Sequence, residues 1–359
     1  MYTRRVAAVQ YIIGSVIDSL LKNPNRRVIY VEQAFFQRWW RVQTKQMQKK
    51  VKKLVESGQL EFINGGWCMH DEATTHYVDM IDQTTLGHRY IKKQFDVVPR
   101  IGWQIDPFGH SAVQGYLLGA EVGFDAVFFG RADYQDKLQR QKTRTMEFIW
   151  RGSKSLGSSA QIFGGLLGHH DSAPEEFRFD TKSTAPVIQD DPLLYDYNVE
   201  ERVELFVKLA REQAAQFRTN HIMWTMGEDF AYEYAETWFK QMDKLVHYGN
   251  KDFSNRALQF RRTLAQRPQH GQSSDPSPTP SHPGGRTCPS SGAQDMGGST
   301  VLISLQHLPS NYYSTDILHR ETQGTRASSV MEANSAIVRL ALFVAEPASR
   351  PSGHLRMIL

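Results

Sequence analysis

The sequence predicts an α/β protein built on a parallel sheet with right-handed crossovers, open or closed into a barrel, followed by a tail of another kind. Three observations carry this. Helical and strand periodicities alternate regularly up to about residue 250. Glycines and polar residues gather after the apolar runs, all on one side of the predicted sheet. The alternation then stops at residues 268–300, which are crowded with Pro, Ser, Gly and Gln.

The first element is a helix with Val6, Val9, Ile12, Ile13, Val16, Ile17 and Leu20 on its apolar side, a spacing close to 3.6. Asn23-Pro24-Asn25 ends it and the β-rich run 27–31 follows. A long helix is predicted over 34–57, closed by Gly58, and the strand 60–63 runs into Asn64-Gly65-Gly66. Next come a helix over 80–95, the strand 100–105, a helix over 112–121 and the strand 125–129. A helical stretch near 135–145, the strand 146–150, the apolar run 161–167, a helix over 199–215 and a strand over 221–226 complete the series. Residues 268–300 have neither apolar period and cannot bury enough surface to offset the entropy of ordering them. The domain reading is therefore an α/β domain over 1–252, a disordered linker over 253–300 and a poorly defined tail over 301–359.

Composition bounds the function. With 359 residues, 40% of them hydrophobic and 22% charged, the chain has the make-up of an ordinary water-soluble fold with a sizeable core. No apolar stretch reaches membrane-spanning length, and the first residues lead into an amphipathic helix rather than a signal-peptide core, so no membrane role or targeting segment is expected. The basic run 45–53 shares its helix with Met47, Val51, Leu54 and Val55, which reads as a solvated face rather than a nucleic-acid surface. Two cysteines, Cys68 and Cys288, define neither a disulfide framework nor a thiolate zinc site.

The most informative segment is Gly102 to Ser111, GWQIDPFGHS, in which Pro107 and Gly109 stop the strand just past Asp106. Loops leaving the C-terminal ends of strands form the pockets of layered α/β proteins. An isolated Asp-Pro is also an ordinary turn or helix cap, so its neighbours decide. His110 shares this tip, and at the other predicted tips lie His70-Asp71-Glu72, Arg131 with Asp133, and Glu228-Asp229, while Trp67, Trp103, Phe108 and Tyr134 could stack on a sugar face or pack the core. Two facing carboxylates suit glycoside hydrolysis, one attacking or activating water and the other protonating the leaving oxygen. Asp106 and Asp229 are the candidates, with Phe230 and Tyr232 flanking the second.

Those motifs, with FFGR (128–131), TMGEDFAY (225–232), YVEQAFFQRWW (30–40), NGGWCMHDEA (64–73) and DMIDQTTLG (79–87), closely resemble the N-terminal catalytic domain of glycoside hydrolase family 38, most of all its lysosomal or vacuolar acid α-mannosidases. The resemblance runs from about residue 6 to 251. It implies a seven-stranded β/α barrel, hydrolysis of terminal α-mannose from N-glycan oligosaccharides with retention, a zinc ion on the sugar 2- and 3-hydroxyls, and a lysosomal or vacuolar setting. By matched position, it makes Asp106 the nucleophile and a zinc ligand, and Asp229 the general acid/base. Arg131 becomes the arginine beside the nucleophile, Phe108 an aromatic wall and Glu228 a neighbour of the acid.

The sequence also departs from the family pattern. The first-strand His-x-His-x-Asp motif, which supplies two zinc ligands, and the later His-His-Asp-Ala-Val-x-Gly-Thr segment, which supplies another, do not occur in it. His169-His170-Asp171 lies far upstream of the latter and is followed by Ser-Ala-Pro, so it is not expected to replace it, and His110 is expected to bond the loop backbone. Asp106 is then the only retained zinc ligand. The expectations are an incomplete barrel, doubtful zinc binding and a family activity that is impaired here. The alternative is an inactive remnant, or a glycan-binding or interaction protein.

Overall fold

The computed structural model describes residues 2–3, 8–74, 76–170, 172–218 and 222–264, together with the short strands Leu342–Val344 and Arg356–Ile358. Of the disordered linker expected over 253–300, residues 253–264 are helical and 265–300 lie outside the described residues, as does most of the tail expected over 301–359.

Helix α1 (Val9–Lys22) buries the apolar stripe that its spacing announces, with Val9, Ile12, Ile13, Val16, Ile17 and Leu20 all in the core. Strand β1 (Val28–Tyr30) pairs in parallel with β2 (Leu60–Phe62). Between them, the single helix expected over 34–57 is two. Helix α2 (Gln33–Arg41) stops, and Thr44 starts α3 (Lys45–Glu56) by accepting a hydrogen bond from the Met47 amide at 3.2 Å. A threonine at this position satisfies an amide that would otherwise be orphaned at a helix start, which favours the break. Helix α3 turns Val51 and Leu54 inward and leaves the lysines of the basic run exposed.

Helix α4 (Val78–Phe95) returns the chain to β3 (Ile101–Gln104). Its Gly87 lies so close to the loop after β2 that a Cβ there would fall 1.9 Å from the Gly65 carbonyl oxygen. A short helix α5 (Ala112–Tyr116), which runs into a π-helical turn over Leu117–Glu121, leads to β4 (Ala126–Phe129), and α6 (Tyr134–Thr143) to β5 (Glu147–Arg151). Strand β6 (Gln161–Leu166) then inserts between β4 and β5, giving the order β3-β4-β6-β5. Strands β3, β4 and β6 are parallel, but β5 runs antiparallel to β6. The all-parallel sheet is thus corrected at β5: the connection over 152–160 is too short for a helical crossover, so the chain can only double back.

The two ladders meet through Asn64. Its amide donates to the Ile101 carbonyl at 2.7 Å, and its side-chain oxygen accepts from the Trp103 amide at 3.2 Å and from Gln104 Nε2 at 3.0 Å. Both faces of the sheet are covered, as the α/β class requires. On one face Val28, Tyr30, Phe62, Val127 and Phe129 join the helices; on the other Ile29, Val31, Ile63, Trp103, Ile105 and Leu167 form a second cluster.

Helix α7 (Val199–Ala214) and helix α8 (Ala235–Leu264) close the described part, and α8 continues beyond residue 252. The strand expected over 221–226 is a second correction. His221 lies outside the described residues, and 222–226 has no regular secondary structure and belongs to no ladder among them. Side chains tie it down instead: Gln213 Nε2 donates to the Met223 carbonyl at 2.9 Å and Thr225 Oγ1 to the Ser172 carbonyl at 3.1 Å. Strands β7 (Leu342–Val344) and β8 (Arg356–Ile358) form a separate antiparallel pair.

Candidate active site

Asp106 leaves the tip of β3 one residue after the fully buried Ile105, so its backbone is anchored while its side chain stays 20% exposed. Arg131 leaves the neighbouring strand β4 after Gly130, and its Nη2 lies 3.3 Å from Asp106 Oδ1. Gly130 makes this approach possible. A Cβ at that position would sit 2.9 Å from the Ile105 carbonyl oxygen and 3.1 Å from the His170 ring. Only a residue without a side chain lets the two strand tips come this close.

Beneath the pair lies a layer of buried polar groups. Gln104 Oε1 accepts from the His70 amide at 3.0 Å while its Nε2 donates to Asn64. The His70 ring is wedged between Gln114 and Thr84, with Nδ1 2.8 Å from Gln114 Nε2 and Nε2 2.9 Å from Thr84 Oγ1. Because the Thr84 hydroxyl donates to the Met80 carbonyl at 2.7 Å, it accepts from His70 Nε2, while Nδ1 faces both the Oε1 and the Nε2 of Gln114, at 3.0 and 2.8 Å. Burial outweighs the Gln114 and Met80 bonds and holds the His70 pKa below the ordinary histidine value, which favours the neutral ring.

His110 stands in the opposite condition. Its Nδ1 is 3.1 Å from Glu72 Oε1 and its Nε2 is 2.7 Å from the Arg131 carbonyl oxygen, while Glu72 Oε2 accepts from the Ser111 amide at 2.7 Å. Burial disfavours the charged ring, but the bond to Glu72, its charge and the Arg131 carbonyl outweigh burial and raise the pKa. His110 does bond loop backbone, as expected, yet its pairing with Glu72 was not anticipated. The one signal available, His70-Asp71-Glu72 at a neighbouring strand tip, did not say which member faced inward.

Glu228 and Asp229 stand on the far side of the loop that follows β6. This loop touches both groups of residues: His170 packs on Gly130, and the Ala173 amide donates to the Gly227 carbonyl at 3.3 Å. Glu228 Oε2 lies 3.2 Å from Arg178 Nη1, a cation that sequence reasoning had not singled out. Asp229 is exposed and lines a cleft of about 310 Å³ with Arg178, Glu228, Phe230 and Tyr234. Asp106 and Arg131 are not among that cleft's lining residues. Phe108 projects from the loop after β3 and is 61% exposed, at the rim beside Asp106.

The chemistry available is therefore a carboxylate oriented by an arginine, with an acid pair in the adjoining cleft. Among the described residues no group of three or more His, Cys, Asp and Glu side chains is placed to hold a metal ion. Asp106 Oδ1 faces Arg131, and both nitrogens of the nearby His110 are engaged. These residues do not by themselves fit a zinc site.

Residues 2–266 match the model of the glycosyl hydrolases family 38 N-terminal domain. The chain belongs to this family. It is 64% identical over 248 residues to an α-mannosidase of Arabidopsis thaliana, covering 69% of this chain and 24% of that protein. An α-mannosidase of Canavalia ensiformis is 58% identical over 252 residues, covering 70% and 26% of the two chains. The lysosomal α-mannosidase of Cavia porcellus is 50% identical over 252 residues, covering 69% and 25%. The family 38 chain described here thus aligns with about a quarter of the length of these relatives. Its helices, among the described residues, include none long and apolar enough to cross a membrane.

Proposed function

We propose that this chain carries part of the active site of a retaining α-mannosidase that removes terminal mannose from N-glycan oligosaccharides in a lysosome or vacuole. The observation that carries the reading is the Arg131–Asp106 pair at adjacent strand tips. In this reading an Asp106 oxygen attacks the anomeric carbon, the glycosidic bond breaks, and Asp229 gives its proton to the leaving oxygen. Water then releases the sugar from Asp106 while Asp229 takes the proton back. Retention calls for two carboxyls about 5 to 5.5 Å apart. Arg131 orients the Asp106 carboxylate, Phe108 offers a ring to the sugar face, and Glu228 with Arg178 sets the charge beside the acid.

The family zinc is not assigned to a site here, since the described residues lack a fitting ligand set, and no step is routed through it. Assay of the purified protein on a chromogenic α-mannoside tests the proposal, with Asp106→Asn as the control. Mannose release above that control supports it, and none at any zinc concentration removes it. That Asp106 and Arg131 do not line the cleft of Asp229 favours a second reading, a glycan-binding protein without turnover. Calorimetric binding of mannosides without hydrolysis would select that one.

A further inference from the structure

We propose that His110 is a positioning residue: a doubly protonated ring clamped between the Glu72 carboxylate and the Arg131 backbone carbonyl, which sets where Arg131 meets Asp106. With Glu72 ionised, the geometry requires the charge. A carbonyl oxygen only accepts, so the Nε2 that lies 2.7 Å from it carries a hydrogen. The carboxylate 3.1 Å from Nδ1 is also an acceptor, and a neutral imidazole cannot donate from both nitrogens. An imidazolium can.

The surroundings make this a built arrangement rather than a surface contact. The side chains of His110 and Glu72 are 3% and 1% exposed. The second Glu72 oxygen is taken by the Ser111 amide, so the acid is tied to the loop that leaves β3. The Phe129 ring covers the imidazole with centroids 4.6 Å apart. The charged groups facing His110 are Glu72, from the loop after β2, and Arg131, from the loop after β4, with Asp106 beyond the guanidinium. One cation thus joins three strand-tip loops. His70, in the same buried layer but with Gln114 and Thr84 as neighbours, has no acid to hold a proton, and burial favours its neutral ring.

That Asp106 is the group served rests on the proposed nucleophile; the ring's charge and its hold on Arg131 do not. Nitrogen NMR of the histidine-labelled protein at neutral pH is expected to show hydrogen on both His110 ring nitrogens. In Glu72→Gln the ring should become neutral, with its hydrogen on Nε2. In His110→Gln, exchange of the Arg131 Nη2 hydrogens, which face Asp106, should rise about tenfold, the size expected for losing a hydrogen bond to a charged group. A neutral ring in the native protein overturns the proposal, as does unchanged Arg131 exchange in a folded His110→Gln variant. If that variant does not fold, the native spectrum and Glu72→Gln still decide. Neither readout needs mannoside turnover, so failure of the nucleophile reading shows separately in the Asp106→Asn assay.

Discussion

The Arg26 guanidinium, with its side chain only 5% exposed, lies 3.2 Å from Glu236 Oε2. The same arginine reaches Asp243 Oδ2 at 2.9 Å, and Lys22 and Ser19 add bonds to Glu236 at 3.2 and 3.0 Å. The cluster staples the C-terminal end of α1 and the start of β1 to the first turns of α8, a few residues beyond Asp229. The Ala235 amide adds a bond to Ser15 Oγ at 2.8 Å.

Removing one partner of this cluster strands buried charge. Arg26→Met should cost about 3–5 kcal/mol, the range for breaking a buried ion pair from one side. Chemical denaturation of the variant and the native protein measures it, and a loss under about 1 kcal/mol would show the pair to be screened as at a surface.

The same cluster sets an acid limit. Burial opposes the Glu236 charge, but the bonds from Arg26, Lys22 and Ser19 outweigh it and hold the carboxyl at about 2. A carboxylate whose folded pKa lies below its unfolded one stabilises fully above the unfolded value, about 4.3, and loses that contribution as pH falls through the folded value. The melting temperature of the native protein should therefore exceed that of Glu236→Gln at pH 6, and the gap should close between about pH 4 and 2. A gap unchanged at pH 2 would contradict this.

Two glycines give a contrast in kind. At Gly87 a Cβ would meet the Gly65 carbonyl at 1.9 Å, a backbone atom that cannot step aside. Gly87→Ala should cost about 3 kcal/mol or more, at the upper end of overpacking. Gly58 has open space around it and a φ of 69°, so Gly58→Ala should cost only the left-handed penalty, about 1–2 kcal/mol. Equal losses in denaturation would show that the approach of α4 to the β2 loop is not tight.

Gly130→Ala should act on the site first. Its Cβ would press the Ile105 carbonyl at 2.9 Å and push the tips of β3 and β4 apart, moving Arg131 from Asp106. Expected are a loss of about 1–3 kcal/mol in stability and a larger proportional loss of mannoside turnover. Turnover that falls only in step with the folded fraction would separate Gly130 from the site.

Asp229→Asn should leave folding alone, because the side chain is exposed, and slow mannoside hydrolysis by about 10²–10⁴-fold, the usual worth of a general acid. Melting and steady-state rates on one preparation check both. A variant as fast as the native protein would end the acid assignment.

Much of this was legible in the chain. The spacing from Val9 to Leu20 announced α1, and Pro107 with Gly109 announced where β3 must stop and hence that Asp106 tops a strand. These are local properties, written in periodicity and in residues whose backbones permit only certain turns. The motif around Asp106 likewise carried the family.

What the sequence could not supply is what depends on residues far apart along it. Alternation reads the same in either strand direction, so apart from the short connection over 152–160 nothing local marks the antiparallel course of β5, which its register against β6 shows. The run 222–226 has strand composition, but its neighbours Gln213 and Ser172 come from other segments and take polar groups of it without a ladder. His110 and Glu72 are 38 positions apart, and Arg178 and Glu228 still farther, so their pairing is a product of packing. The sequence by itself determined the elements, the strand-tip aspartate and the family. Tertiary structure alone decided which charges meet, because a charge's energy depends on distance and burial, and neither is a local property.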